Sequence, residues 1–297
     1  MRTVYLGTSP FAAAVLHRLA ESPHRPGLVV TRPDAPKGRG RRLSPPPVAD
    51  TARELGIDVF QPANVNEGES VERIAAAEPE AVLLCAFGAL IREPLLSRFG
   101  SIRNVHPSLL PRWRGAAPVE RAIIAGDGET GVTIMAVGEG LDDGPVYVAA
   151  REPIHSDDTY GTLSERLERL SADLLIRALD EQPEPVPQPD DGVTYAEKIT
   201  AADRTLDPER PAAELERVVR ALTPHIGARG ALPGGELLGV RRAAVAREER
   251  GPAPGELRRE GDRLLLGTAD GALALLEVQP PGGRPMDAAA YLRGRGA

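Results

Sequence analysis

Residues 81–87 read AVLLCAF, an unbroken apolar run with no polar residue in alternate positions. It is far too short to cross a membrane as a helix. A strand with one wet face would alternate apolar and polar residues, so both faces of this one must be covered. A central parallel strand with helices on both sides meets that demand. The flanking sequence supplies the layers. RTVYL (2–6) reads as a buried strand, GTSPF as a turn, and Phe11, Val15, Leu16 and Leu19 as one helix face; GLVVT (27–31) is a second strand. ADTARELG (49–56) and ERIAAAEPE (72–80) read as helices around a strand at DVFQP (58–62). IRNVHPS (102–108) and VTIMAVG (132–138) are further strands, with a helix near 116–126 between them. This alternation predicts an α/β fold with a mostly parallel, doubly wound, Rossmann-like sheet.

The second half of the chain reads differently. TLSERLERLSADLLIRALDE (162–181) places Leu163, Leu167, Leu170, Leu174 and Ala178 on one helix face, a packing stripe. QPEPVPQPDDG (182–192) has four prolines and reads as an extended connector. VTYAEKIT (193–200) follows it, and ELERVVRAL (214–222) is a short helix. Beyond it, turn pairs at Gly234-Gly235, Gly261-Asp262 and Asp270-Gly271 separate short β signals, which suggests hairpins in a small OB-like β-barrel. MDAAAYLRG (286–294) reads as a closing helix. The expected organisation is a catalytic domain at 1–190, a connector at 191–208 and a barrel at 209–297.

Composition narrows the function classes. The chain has 297 residues and a single cysteine, Cys85, so neither a disulfide framework nor a CxxC metal site is available. No metal is expected. The opening MRTVYLGTSPF carries no apolar signal segment and no run approaches 18 apolar residues, so a cytoplasmic protein without a membrane span is expected. The net charge of −7 by itself argues against nucleic-acid binding. That charge is uneven: from Glu209 onward 14 arginines face 12 acids, while the remainder carries 22 basic and 31 acidic residues. Within the acidic part, KGRGRR (37–42) is strongly basic. Such a loop either contacts phosphates or is simply solvated and mobile.

The chemistry concentrates in NVHPSLLPRWRGAAPV (104–119). Residues i and i+2 of a strand face the same way, so Asn104 and His106 share a face at the carboxyl end of a parallel strand, where open α/β sheets bind ligands. Downstream, GEGLDDGPV (138–146) carries Asp142 and Asp143 in a Gly-flanked turn, and spacing alone does not choose between them. An amide and a protonated imidazole can donate to a developing oxyanion, and a carboxylate can hold the imidazole or take a proton. The set suits direct acyl transfer to an amine that supplies its own nucleophile. A Ser-His-Asp hydrolase using Ser108 is the alternative, but G-x-S-x-G is absent. The first turn is not G-x-G-x-x-G, which argues against a nicotinamide or flavin enzyme.

NVHPSLLPRWRGAAP together with GDGETGVTIMAVGEGLDDGPV closely resembles the 10-formyltetrahydrofolate-dependent formyltransferases, and the resemblance covers nearly the whole chain. GTSPFA (7–12) looks like that family's first turn, TRPDAPKGRGRRLSPPPV (31–48) like its insertion loop, here placed at 33–48, and VTYAEKI (193–199) like its connector. The last two are more specific to members acting on charged tRNA. The resemblance implies a catalytic trio of Asn104, His106 and Asp142. It puts folate contacts on Ser108, Leu109, Leu110 and Pro111, with backbone from Leu84, Cys85, Ala86, Phe87 and Gly88. It puts tRNA contacts in the basic loop at Lys37, Arg39, Arg41 and Arg42. It implies 10-formyltetrahydrofolate as co-substrate, initiator methionyl-tRNA as partner, and a monomer. The sequence departs from the family pattern at Ser9-Pro10, at Pro107 and in TPHIGARGAL (223–232). A formyltransferase for a small amine, or a 10-formyltetrahydrofolate hydrolase, would share the trio; the former should lack the basic loop and the barrel. A catalytically silent RNA-binding module is the reading from another class.

Overall fold

A strand covered on both faces needs two helical layers, and the first unit of the chain has them. The computed structural model describes residues 1–38, 40–231, 236–246 and 251–294. They divide into two units: Met1–Gly115, Thr130–Glu152 and Ser164–Tyr195 form the first, and Ala116–Glu129, Pro153–Leu163 and Ala196–Ala297 the second.

The first unit is built on seven strands: β1 (Thr3–Gly7), β2 (Pro26–Val30), β3 (Asp58–Phe60), β4 (Ala81–Cys85), β5 (Ile102–His106), β6 (Glu129–Ala136) and β7 (Val146–Pro153). Their order is β7-β6-β5-β4-β1-β2-β3, so the apolar run at 81 sits in the middle. The β1–β2, β1–β4, β2–β3 and β4–β5 pairs are parallel. Val4, Leu6 and Val82 share a core with Ile74 of α3 (Gly68–Ala75) and Leu95 of α4 (Leu95–Phe99). Tyr5 points to the other face and donates to the Ala12 carbonyl of α1 (Pro10–Ala20), a helix begun by a Ser9 cap and Pro10. Helix α2 (Pro47–Glu54) packs beside α1. The third helix lies earlier than the predicted 72–80, because Pro79 disfavours helical backbone before it.

The edge of the sheet departs from a purely parallel reading: β6 runs antiparallel to β5. Parallel neighbours need a crossover packed on the sheet. The helix expected to provide it, α5 (Pro118–Ala125), packs against α7 (Ala212–Ala221) in the second unit instead. At this edge a Cβ on Gly131 would lie 2.1 Å from the Ala150 carbonyl oxygen and 2.5 Å from Leu109. Backbone cannot yield as a flexible side chain can. Gly131→Ala should therefore cost about 1–3 kcal/mol, the usual range for overpacking, read as a lower denaturant midpoint.

The long helix α6 (Tyr160–Glu181) enters the first unit at Ser164, where Leu167, Ser171, Leu174, Leu175 and Ala178 are buried. Leu170, placed on the stripe by periodicity, is only half-buried, and Ser171 takes its place. In the second unit, β8 (Ala228–Ala231), β9 (Leu237–Ala246), β10 (Leu257–Glu260), β11 (Arg263–Thr268) and β12 (Gly271–Gln279) form an antiparallel path β8-β9-β12-β11-β10. The short β13 (Met286–Asp287) joins β12 and leads into α8 (Ala288–Gly294), so the predicted last helix begins two residues late. Among the described residues no ladder joins β10 back to β8. The hairpin at Gly261-Asp262 is present. The next turns at Ala269-Asp270, one residue earlier than read, because Gly271 already pairs with Thr268. Gly234-Gly235 lies outside the described residues. Leu215, Val219 and Leu222 pack against Leu238, Leu266 and Leu273 to form this unit's core.

Candidate functional site

Strand β5 alternates its side chains, Arg103 and Val105 to one face, Asn104 and His106 to the other. Arg103 donates to the Ala178 carbonyl and lies 4.7 Å from the Tyr147 ring centroid. Asn104 and His106 are both buried, which holds their side chains in fixed orientations. Pro107 follows, and the strand stops at His106, two residues before the predicted end.

His106 Nε2 lies 2.8 Å from the Trp113 carbonyl oxygen. A carbonyl only accepts, so Nε2 carries the hydrogen and Nδ1 is the nitrogen left for chemistry. Nδ1 faces Asp142 Oδ2 at 3.6 Å. Asn104 Nδ2 lies 3.4 Å from Asp142 Oδ1, and the amide keeps a second hydrogen for another acceptor. The Gly115 N–H donates to Asp142 Oδ2 at 2.9 Å. Of the two carboxylates in the turn, Asp142 is the one beside the imidazole. Asp143 is exposed and lies against Gly140.

Asp142 arrives by a route that a parallel sheet does not predict. His106 pairs with Thr133 and β6 then runs back to Ala136 beside Arg103, so the 137–145 loop must return the carboxylate. The return is strained: Asp142 has φ 48° and Trp113 has φ 65°. Left-handed backbone costs about 1–2 kcal/mol for a residue with a side chain. Both occur at the residues that meet His106.

What holds this geometry was invisible as a motif. The proline-rich stretch read as a plain connector acts as a strap. Val186 exchanges two backbone hydrogen bonds with Val146. Gln188 Nε2 donates to the carbonyls of Asp142 and Gly144, both at 2.8 Å. Its Oε1 accepts from Arg114 Nε at 3.0 Å and Nη2 at 2.7 Å. Thr194 accepts the Trp113 N–H on its hydroxyl and the Arg114 N–H on its carbonyl, each at 2.9 Å. The only sequence signal was a polar residue among alternate prolines.

Ser108 is fully buried, and its hydroxyl donates to the Arg112 carbonyl at 2.6 Å. It therefore does not occupy an exposed nucleophile position. Its own carbonyl accepts from Thr133 Oγ1, which in turn accepts the Leu110 N–H. Leu109, Leu110 and Pro111 are half-buried. Leu84 stands beside Asn104 in the ladder. Burial pushes the Cys85 thiol up to about 12, so it stays neutral. Ala86 and Gly88 take left-handed backbone on either side of buried Phe87, whose carbonyl accepts from Thr8. Arg32 donates to the Gly88 carbonyl.

A cleft of about 780 Å³ opens along Ala86, Phe87 and Gly88 and is also lined by Thr8, Lys37 and Pro46. It gathers three of the five strand-end candidates and one basic-loop candidate; Leu84, Cys85, Asn104, His106 and Asp142 are not among the described lining residues. The basic loop is a hairpin, Ala35–Lys37 against Arg42–Ser44, rather than an open loop. The turn is closed by the Arg41 N–H on the Gly38 carbonyl, with Gly38 and Arg41 left-handed. Lys37, Arg41 and Arg42 are exposed, and Lys37 stands opposite Arg42. Like charges facing across a ladder are unfavourable. Arg39 lies outside the described residues. Among those described, no three His, Cys, Asp or Glu side chains gather as a metal set, and no helix is long and apolar enough to cross a membrane.

The doubly wound sheet brings an amide, an imidazole and a carboxylate together beside a strand end, where open α/β sheets bind ligands, and a separate antiparallel β unit follows. Residues 1–179 match the family described as formyl transferase, and residues 198–296 match the formyl transferase C-terminal domain. The chain belongs to the formyl transferase family. A methionyl-tRNA formyltransferase of Halorhodospira halophila is 46% identical over 304 residues, covering 99% of this chain and 96% of its own. One of the same name from Dechloromonas aromatica is 42% identical over 297 residues, with 99% and 96% covered. Among solved structures, HypX from Aquifex aeolicus in complex with tetrahydrofolic acid shares the fold, with a TM-score of 0.66 at 19% identity over 98% of this chain; the match spans 47% of that protein.

Proposed function

We propose that this chain transfers the formyl group of 10-formyltetrahydrofolate to the α-amino group of methionine on initiator methionyl-tRNA, the one-carbon step that prepares that tRNA for translation initiation. The observation that carries the reading is identity of 40–46% to methionyl-tRNA formyltransferases over nearly the whole chain. Residues 1–190 carry the chemistry in this reading, with 191–208 as connector and 209–297 as the tRNA-binding part. The enzyme works in the cytoplasm as a monomer.

The amine attacks the formyl carbon, forming a new C–N bond and placing negative charge on the formyl oxygen. Asn104 donates its free amide hydrogen to that oxyanion. His106 donates through Nδ1 once protonated, since its Nε2 hydrogen is committed to Trp113. Asp142 balances the imidazolium beside it and passes the proton lost by the amine toward N10 of the folate, whose bond to the formyl carbon then breaks. No acyl-enzyme forms, and neither Ser108 nor Cys85 is needed. Leu109, Leu110 and Pro111 offer an apolar wall for the folate, with Ser108 supporting it from below through Arg112. Backbone from Leu84 to Gly88 meets the pterin end.

Lys37, Arg39, Arg41 and Arg42 contact tRNA phosphates. The opposed Lys37 and Arg42 give the hairpin a charge that a phosphate relieves. Replacing both with Ala should raise KM for charged tRNA, leave kcat within about twofold, and reduce the salt slope by about 1 for each phosphate no longer neutralised. An unchanged slope would make the hairpin a solvated ornament. The reading as a whole is tested by transfer of labelled formyl to charged initiator and elongator methionine tRNAs. Formate release without tRNA would identify a hydrolase, formylation of a small amine alone would identify the other branch, and tRNA binding without transfer would identify a silent RNA-binding module.

A further inference from the structure

We infer that Arg103, on the face of β5 turned away from Asn104 and His106, is a positioning residue for the formyl transfer. Its buried charge ties the strand of the imidazole to the helix end and the strand start between which the strap holds Asp142. This role rests on the proposed reaction and on the trio that carries it.

Arg103 is only 6% exposed, yet neutral groups surround its charge. Nη1 donates to the Ala178 carbonyl at 2.8 Å, and Cζ lies 4.7 Å from the Tyr147 ring centroid. Among the described residues Nε has no hydrogen-bond partner, and no acid forms an ion pair with the side chain.

These contacts fall at particular places. Ala178 lies in the last turn of α6, and its carbonyl also accepts the Gln182 N–H at 3.2 Å. Gln182 has φ 45°, so the helix stops there and the strap departs. Tyr147 is the second residue of β7 and follows Val146, which the strap grips through Val186. The Tyr147 hydroxyl lies 3.0 Å from the Ser101 hydroxyl, one residue before β5. Arg103 therefore touches the start of the strap and the strand into which the Asp142 loop runs, and it is bonded directly to Asn104.

A helix C-terminus attracts a cation, which accounts for the direction of the guanidinium. It does not account for a buried charge with an unpaired N–H. A neutral donor would satisfy one carbonyl, and an apolar side chain would fill the space, each with less desolvation. Register is the best-attested return on a buried charge. Here the guanidinium has one favourable place, between a helix carbonyl and a ring face. A slide of α6 or β7 along β5 would strip it of both, whereas an apolar side chain would tolerate the slide. The strap and the Asp142 loop continue from those two elements, so their register on β5 decides where Asp142 meets His106.

The test uses the full-length protein, charged initiator tRNA and 10-formyltetrahydrofolate. Arg103→Met keeps a long stem and removes the charge and its donors. It should leave the denaturant midpoint at or above wild type. It should lower kcat about fivefold, with KM for both substrates within about twofold. Arg103→Lys should keep most of the turnover, since it keeps the charge. Because Arg103 and Gln188 act through the same strap, Arg103→Met added to Gln188→Ala should lower kcat by less than about twofold more. Wild-type kcat in Arg103→Met overturns the role, whether or not the midpoint falls. A Met variant that does not fold overturns it too, because the charge would then be holding up the fold. So does a Lys variant as slow as Met, or a double variant whose losses multiply in full. A wild-type protein that fails to formylate tRNA overturns the functional reading and this inference together. Normal wild-type activity with normal kcat in Arg103→Met overturns the positioning role alone.

Discussion

Asn104→Ala and His106→Ala are each expected to lower kcat by about a hundredfold or more, with KM for both substrates little changed. A preorganised oxyanion donor is worth about 3 kcal/mol in the transition state, and each 1.4 kcal/mol is a factor of ten. The formyl oxygen carries full negative charge only as the amine adds, so the loss of a donor to that oxygen should fall on kcat. Both side chains are buried, so loss of activity must be separated from loss of fold. His106→Gln is the control: it keeps an amide N–H within reach of the Trp113 carbonyl but cannot carry the proton. It should hold the denaturant midpoint close to wild type while kcat stays low. Asp142→Asn should keep the acceptor for the Gly115 N–H and lose the charge beside Nδ1, lowering kcat and altering its pH profile. Near-normal turnover in both alanine variants would remove Asn104 and His106 from the chemistry.

Much of this site was legible in the residues alone, and the limits were physical. Asn104 and His106 could be paired because a strand has period two, a rule that holds wherever the strand sits. The central place of β4 followed from an apolar run that no half-exposed strand tolerates. The direction of β6 was not legible, because an apolar helix face such as that of α5 does not say whether it packs on a sheet, as a parallel crossover must, or on another helix, as it does on α7. Strand β7 was missed because its residues are half-buried or exposed at a sheet edge, a weak signal between Pro145 and Pro153. Asp142 and Asp143 were indistinguishable by spacing, and left-handed backbone at Asp142 is what turns the former inward. Nothing in the residues at 112–115 announced that a backbone carbonyl and a backbone N–H would do the orienting. Main-chain groups are the same in every residue, so composition cannot reveal which of them are used.

The strap carries the second large effect. Gln188 sits where its one side chain satisfies two carbonyls of the Asp142 turn and two donors of Arg114, linking the loop that carries the carboxylate to the loop that fixes the imidazole. Gln188→Ala leaves those carbonyls without the donor that holds a left-handed residue in place, so Asp142 can relax away from Nδ1. Displacements of about 1 Å can cost as much as a hundredfold in rate. A fall in kcat of about ten- to thirtyfold is expected, with KM for folate and tRNA within about twofold. Gln188→Glu separates positioning from packing. A carboxylate there still accepts from Arg114 and fills the same volume, but it cannot donate to the carbonyls of Asp142 and Gly144 and repels them. A purely structural Gln188 would give a Glu variant with a modest stability change and normal kcat. A positioning Gln188 gives a Glu variant with kcat at least as low as Ala, an altered pH profile, and a denaturant midpoint close to wild type. Wild-type kcat in the Glu variant would return residues 182–192 to the plain connector their prolines first suggested.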